Sequence, residues 1–376
     1  MKTDLRLIYL ILILTIAFSG CKKQNSEGDK STSEIIKNDY AEGFSITKTK
    51  DGYLLRLFDV NNSNPLNEIF LTEKKSEENT NYQQLEIPLK KTIIGSSTFI
   101  GFLNTLNKIE VIQGFPGKQL VYNQKLLDRI ENGKVTDLGN QISWNVEKVA
   151  EMNPDAMILN LFGAEDPSIE NIRKLGIPVI FVQDYQETHP LGKAEWIKVF
   201  GLLTGKYDHS VAIFEDIKNN YLCLKEKIGN VENKPGVTSG MIYEDAWFAP
   251  GGDSYMATLI SDAGGDYIWS DKEGTGGLPL AKEIVLTRAN QADYWIGAAA
   301  FDNYAKLKEH DKLFESIKAV ENKNVYTYIG KIRENGGNDY FETGPVNPDI
   351  LLKDIVLILH PEMIQDHELT YYKALK

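Results

Sequence analysis

The chain has 376 residues, 42% of them hydrophobic and 10% aromatic, enough to bury a sizeable core, and its formal charge of −12 argues against nucleic acid or anionic lipid as a partner. Its two cysteines, Cys21 and Cys223, imply no disulfide framework. Without residues 1–37 the chain keeps roughly 340 residues, more than one core usually holds, which predicts two lobes or domains.

The first element is an export signal over residues 1–20. Lys2 and Arg6 precede an apolar stretch from Leu7 to Phe18, too short for the roughly 20 residues that span a bilayer, and Ser19-Gly20 stand directly before Cys21. This ending resembles a bacterial lipobox, although Phe18 takes its usual Leu position. The likeness implies that Cys21 becomes the N-terminus and carries lipid; an ordinary secretory signal is the alternative. Residues 21–38, rich in Lys, Ser, Glu and Asn, bury too little apolar surface to order themselves and read as a disordered tether.

Residues 39–90 favour strands: FSITKTK, a turn at Asp51-Gly52, YLLRLFDV, EIFLTEK and QQLEIPL, which together predict an N-terminal β-hairpin extension. From Lys91 to 206 strand and helix alternate. TIIG and IEVIQ read as strands around an apolar helix over 99–106; a helix over 146–152 leads into the strand AMILNLF, and a helix over 168–175 into PVIFV. The same grammar returns over 231–376, with GMIYED, a helix over 255–263, DYWIG, a helix over 313–320 and NVYTY. The expected fold is α/β, with two Rossmann-like lobes of parallel-rich sheet. Between the lobes, within 207–230, Val211, Phe214, Ile217, Tyr221, Leu224 and Ile228 recur at three- and four-residue spacing and predict one long connecting helix. Cys223 falls on it as a small apolar residue.

Catalytic constellations are poor, and no enzyme is expected. The five histidines show no close metal spacing, and there is no GxSxG or phosphate loop. His189, before Pro190, has a structural explanation as a helix start; a metal or haem role is its alternative. Ligand-binding features are richer. Ser97 sits between TIIG and a helix, where hydroxyls and free backbone N–H groups face a cleft, or simply cap the helix. Rings then recur where strands should end: Phe115, Trp144, Phe162, Trp247, Phe248, Tyr340 and Phe341. Singly each is as often core as contact, but together they suit a large, partly apolar ligand. Arg333 is the candidate for pairing an anionic ligand group, against the alternative of a solvated loop charge.

The lipobox, the two βα lobes, the connecting helix, the strand entries NPDAMILN and NQADYWI, and the terminal FETGPVNPDILLKDIVLILHPEM resemble the substrate-binding lipoproteins of ABC importers for iron complexes and cobalamin. The resemblance covers residues 91–361. It implies a rigid helix between the lobes, a ferric siderophore, haem or cobalamin in the cleft, and the membrane subunits of an ABC importer as partner. It implies no cofactor or metal of the protein's own, since the iron or cobalt chelate is cargo. Docking acids carry over to Glu283 in the C-lobe and, in FGAEDPSIENI, to Asp166, with Glu165 or Glu170 as substitutes; stabilisation of a helix first turn is the simpler reading of each. Residues 39–90 depart from the short family core and leave open a surface scaffold using the hairpins, while the acidic charge and scattered histidines leave open an extracytoplasmic metal-cofactor enzyme.

Overall fold

Four sheets organise the computed structural model, which describes residues 33–74, 82–139, 143–243, 246–298, 301 and 303–376. The leader and Cys21 lie outside the described residues, as do 22–32 of the tether.

Strands β1 (Glu34–Ile36), β2 (Phe44–Lys48), β3 (Tyr53–Phe58), β4 (Pro65–Thr72) and β5 (Gln83–Glu86) lie side by side in chain order, antiparallel as far as β4 and parallel between β4 and β5. The extension is therefore a five-stranded sheet. Its first strand corrects the end of the expected tether: Ile36 pairs with Ile46, and Ile35 at 75% exposure shows that main-chain pairing, with little burial, orders this edge.

The second sheet is parallel throughout. Strands β6 (Thr92–Ile94), β7 (Ile112–Phe115), β8 (Thr136–Asp137), β9 (Ala156–Leu159) and β10 (Val179–Phe181) run in the order β10-β9-β6-β7-β8. Helices cover both faces, so a strand such as Thr92–Ile94 is buried at every residue and reads as an apolar run. The segment IEVIQ begins with a 3₁₀ turn, Ile109–Val111, and only then becomes strand. The amide of Asn67 on β4 donates to Val179 O at 2.9 Å and accepts from Phe181 N at 2.8 Å. One side chain thus substitutes for a peptide group and caps the open edge of β10 with the extension.

The C-terminal half repeats the plan with β11 (Gly236–Thr238), β12 (Met241–Tyr243), β13 (Ala246–Pro250), β14 (Asp266–Tyr267), β15 (Gly277–Ala281), β16 (Tyr294–Ile296), β17 (Val325–Thr327) and β18 (Lys373–Ala374). Its main sheet has the order β14-β11-β16-β17-β18, parallel except for β18, and β12-β13-β15 form a small antiparallel sheet. The single helix expected over 313–320 is a 3₁₀ segment, Lys312–Ser316, then an extended Ile317 and a short helix, Lys318–Glu321. Phe314, Ile317 and Val320 are buried three residues apart, a spacing that a three-residue turn serves better than an α-helical one.

The connecting helix, Tyr207–Ile228, spans about 33 Å and buries Ser210, Phe214, Ile217, Tyr221, Leu224 and Ile228. Tyr221 donates to Asp262 at 2.7 Å and Lys227 to Met363 O at 2.6 Å, fixing its far half to the C-lobe. Cys223 is exposed, contrary to expectation, because the stripe passes through Tyr221 and Leu224 on the opposite face.

Two buried carboxylates attach the extension. Glu195, with no exposure, accepts from the backbone N–H groups of Asp39, Tyr40 and Ala41 at 2.8–3.2 Å and pairs with Lys198 at 2.6 Å. Glu187 accepts from Glu42 N, Gly43 N and Trp196 Nε1. His189 stacks on Tyr40 at 4.5 Å, and its Nδ1 accepts from Leu191 N as the cap of helix Pro190–Glu195, which is the structural role its position suggested. Replacing Glu195 by Ala strands three N–H groups and a buried ammonium at once, so Glu195→Ala is expected to cost about 3–5 kcal/mol in urea-unfolding free energy. A loss below 1 kcal/mol would show that the extension is not held this way.

Candidate functional site

The lobes approach through backbone. Gly101, in helix Ser97–Thr105, lies so close to the C-lobe helix Asp339–Glu342 that a Cβ there would sit 2.0 Å from Glu342 O. Thr98 Oγ1 donates to Phe341 O at 3.1 Å, and Asn335 Nδ2 reaches Lys118 O and Val121 O at 3.2 Å. The predicted first N-lobe loop and last C-lobe loop thus meet, with Ser97 and Phe341 at the junction. Ser96 holds the N-cap position but makes no side-chain cap bond, so plain capping does not account for its hydroxyl.

Beside this junction, at the carboxyl ends of the N-lobe strands, lies a cavity of 430 Å³ lined by Pro116, Leu120, Trp144, Asn160, Phe162 and Asp166, among others. Phe162 is 71% exposed and packs on Tyr185 at 4.6 Å, while Trp144 is half-buried. The C-lobe presents Phe248 and Phe341, 38% and 48% exposed, with Tyr243 against Phe248 at 6.2 Å. Tyr340 is half-buried, stacked on Tyr328 at 5.3 Å and edge-on to Phe341. Burial raises its hydroxyl pKa to about 12.

Two predicted contacts need correction, and two further predicted residues have local partners. Phe115 is the last residue of β7 and Trp247 the second of β13; both side chains are fully buried, Trp247 between Trp295 and Phe314 at 5.1 and 6.1 Å. They support the loops and do not face them. Arg333 lines a separate groove of 630 Å³ with Tyr122, Lys118 and Ile332; its Nε donates to Tyr122 O and its guanidinium covers the Tyr122 ring at 4.9 Å. Asp166, expected to dock on a partner, caps helix Pro167–Lys174 and accepts from Ser168 N, Trp144 N and Ser143 Oγ at 2.9, 3.0 and 3.2 Å. Burial pushes its carboxyl up, but these donors outweigh it and hold it below the usual range. Of its substitutes, Glu165 is paired to Arg173 at 2.6 Å, and Glu170 is exposed, 3.6 Å from Lys174. Glu283 is exposed in the first turn of helix Lys282–Arg288, flanked by Ile284 and Leu286 at 40% and 49% exposure. Among the described residues no three His, Cys, Asp or Glu side chains gather as a metal site, and no helix is long and apolar enough to cross a membrane.

Residues that sequence reasoning missed are the buried carboxylates. Glu342, with no exposure, accepts from the N-lobe N–H groups of Tyr122 and Asn123 at 2.8 and 3.1 Å, and its other oxygen has no partner. No local pattern marks it, since its donors lie some 220 positions away.

The model of the family described as "Periplasmic binding protein" matches residues 113–330. The chain belongs to the periplasmic binding protein family. An uncharacterized lipoprotein of Methanocaldococcus jannaschii is 27% identical, over 99% of this chain and 96% of that protein. Among solved structures, a possible iron-binding (periplasmic solute-binding) protein from Staphylococcus epidermidis superposes with TM-score 0.56 at 17% identity, over 73% of this chain and 100% of that one. A periplasmic heme binding protein from Pseudomonas aeruginosa gives TM-score 0.59 at 13% identity, over 77% and 98%. These structures share the bilobal α/β fold, and the periplasmic binding protein family and these neighbours are solute-binding proteins rather than enzymes.

Glu342 makes the lobe junction sensitive to pH. Burial, opposed by the Tyr122 and Asn123 N–H groups, raises its pKa from an ordinary 4.5 to about 7. The folded state therefore keeps this proton longer than the unfolded chain does, and its contribution to stability falls as pH rises from about 4.5 to about 7, by about 3 kcal/mol. Glu342→Gln removes the titration, so the wild-type-minus-mutant unfolding free energy should decline across that interval and level off above it; a flat difference would refute the assignment.

Proposed function

We propose that this chain is an extracytoplasmic receptor, tethered through lipid on Cys21, that holds an iron or cobalt chelate between its lobes and delivers it to an ABC importer. The observation that carries the reading is the set of rings kept in solvent on both lobes. Phe162, which lines the cavity of 430 Å³, and Tyr185 belong to the N-lobe; Tyr243, Phe248 and Phe341 belong to the C-lobe. Exposed aromatics cost hydration free energy unless a ligand covers them, and this volume lies within the roughly 300–1,000 Å³ common for small-molecule sites. Flat or bulky chelates with apolar faces, such as haem, cobalamin or a ferric siderophore, present the matching surface. The iron- and heme-binding descriptions of the structural neighbours and the lipoprotein relative support the same reading.

The outer surface supports the delivery part of this reading. Glu283, between two exposed aliphatic residues, offers a charge inside an apolar patch, the composition of a contact that a basic membrane subunit would cover.

Titration of the protein with haemin, cobalamin and ferric siderophores, read by Trp fluorescence, should give one saturable response. Phe162→Ala and Phe248→Ala should each weaken it roughly 5- to 50-fold, corresponding to about 1–2.3 kcal/mol per ring. The absence of saturation with every chelate would sink the receptor reading. In cells, Glu283→Arg should lower uptake of the bound chelate while leaving its affinity unchanged; undiminished uptake would remove Glu283 from the docking surface.

A further inference from the structure

Lys193 is a half-buried cation whose ammonium has no ion-pair or hydrogen-bond acceptor among the described residues. It projects from helix Pro190–Glu195, at the end of the N-lobe, and its Nζ lies 4.4 Å from the ring centroid of Tyr255, the first residue of the C-lobe helix Tyr255–Asp262. It therefore spans the lobe junction. The neighbouring lysines are satisfied: Lys198 holds Glu195 at 2.6 Å, and Lys218 holds Asp39 and Glu215 at 2.7 and 2.6 Å. Lys193 makes no ion pair or side-chain hydrogen bond of this kind, and part of its surface stays open to solvent. The Tyr255 hydroxyl on the ring it covers is buried and also lacks a partner.

The surroundings supply only partial compensation. Asp184 and Glu187 are the acids whose charge reaches Lys193, and burial raises the pKa of both. Glu187 spends its oxygens on Gly43 N, Glu42 N and Trp196 Nε1. Asp184 accepts from Asn160 Nδ2 at 3.2 Å, and Asn160 lines the 430 Å³ cavity. Tyr185, next in sequence to Asp184, carries the ring that touches Phe162. Lys193 is thus coupled through Asp184 to Asn160 of the cavity wall, and burial lowers its own pKa. A face-on ring does not use the ammonium's three donors, which an oxyanion would.

Resting on the receptor reading, we propose that Lys193 Nζ and the Tyr255 hydroxyl receive an anionic oxygen group of the bound chelate, so that the ligand is one carrying a free carboxylate on its periphery. A neutral chelate of the same shape would leave both groups unpaired inside the junction, a loss of one charge-assisted hydrogen bond and its partner.

The test uses the detergent-solubilised full chain with haemin, haemin dimethyl ester and metal-free citrate, reading affinity by Trp fluorescence and Lys193 accessibility by reductive methylation and peptide mass spectrometry. Lys193→Met should weaken haemin binding roughly 10- to 100-fold and leave the ester within about twofold. Haemin, but not its ester, should shield Lys193 from methylation in the wild type. If Lys193→Met does not fold, Tyr255→Phe reads the same haemin-against-ester split at a few-fold effect. Equal losses for both probes, or none for either while both bind, overturn the proposal and leave the receptor reading standing. If no chelate saturates, the receptor reading falls, and citrate then decides alone: shielding of Lys193 supports an anion site, and none overturns it.

Discussion

Carboxylates withdrawn from water and aimed at backbone N–H groups hold this molecule together. Glu187 and Glu195 grip residues 39–43, Glu342 grips Tyr122 and Asn123, and Asp354, with no exposure, accepts from Thr370, Tyr371 and Tyr372 N–H at 2.6–3.2 Å and contacts His367 Nε2 at 2.7 Å. Each takes a charge into a medium that penalises it and offsets part of that cost through charge-assisted bonds in fixed directions; for Glu187 and Glu342 burial outweighs those bonds and raises the carboxyl pKa. Such bonds are lost together when the carboxylate is removed. The extension, the lobe junction and the C-terminal segment feeding β18 each gain such buried anchors beside their apolar packing, which in the extension includes Phe44, Ile46, Leu55, Leu57, Ile69 and Leu71.

The same economy shapes the cleft. Gly101 brings a helix backbone against that of residue 342, and a Cβ at Gly337 would sit 2.0 Å from Val121 O. Lobes joined backbone to backbone at this range, with the connecting helix bonded to the C-lobe, have little freedom to hinge widely. A preformed cleft avoids the ordering cost that a closing one incurs, and its selectivity then depends on the fit of shape and polar groups already in place.

The long elements were legible in the sequence and the side-chain directions were not. The stripe on the connecting helix survives with its burial pattern, because a 3.6-residue period sustained over 22 residues has few alternatives. The extension's strands and the alternation of both lobes are present for the same reason. Trp247 and Phe248 show the failure: they are neighbours on β13, whose burial alternates, so one ring must be core when the other is exposed. Phe115 and Phe162 show its other form. Both follow apolar runs, but Phe115 belongs to β7 while Phe162 lies three residues past the end of β9, beyond the reach of the covering helices. Asp166-Pro167-Ser168 carried a capping signature that sequence could supply, and the cap is what the structure uses. The buried carboxylates and Lys193 had no such signature, since the groups that define them come from segments 60 to 220 positions distant.

Charge acts differently at long and short range in this molecule. A chain of formal charge −12 repels an anionic ligand at a distance, yet that field is screened within about 8–10 Å at physiological ionic strength. Inside the junction, where water is scarce and a single ammonium stands over Tyr255, the local charge outweighs the distant ones because screening fails there. Capture of the proposed anionic chelate would then be slow to be steered and strong once seated, with selectivity expressed in release rather than encounter. The acidic exterior has the opposite use. It would favour approach to a basic surface, and in the proposed docking an exposed acid such as Glu283, set among Ile284 and Leu286, would convert that long-range attraction into a contact with apolar area to bury.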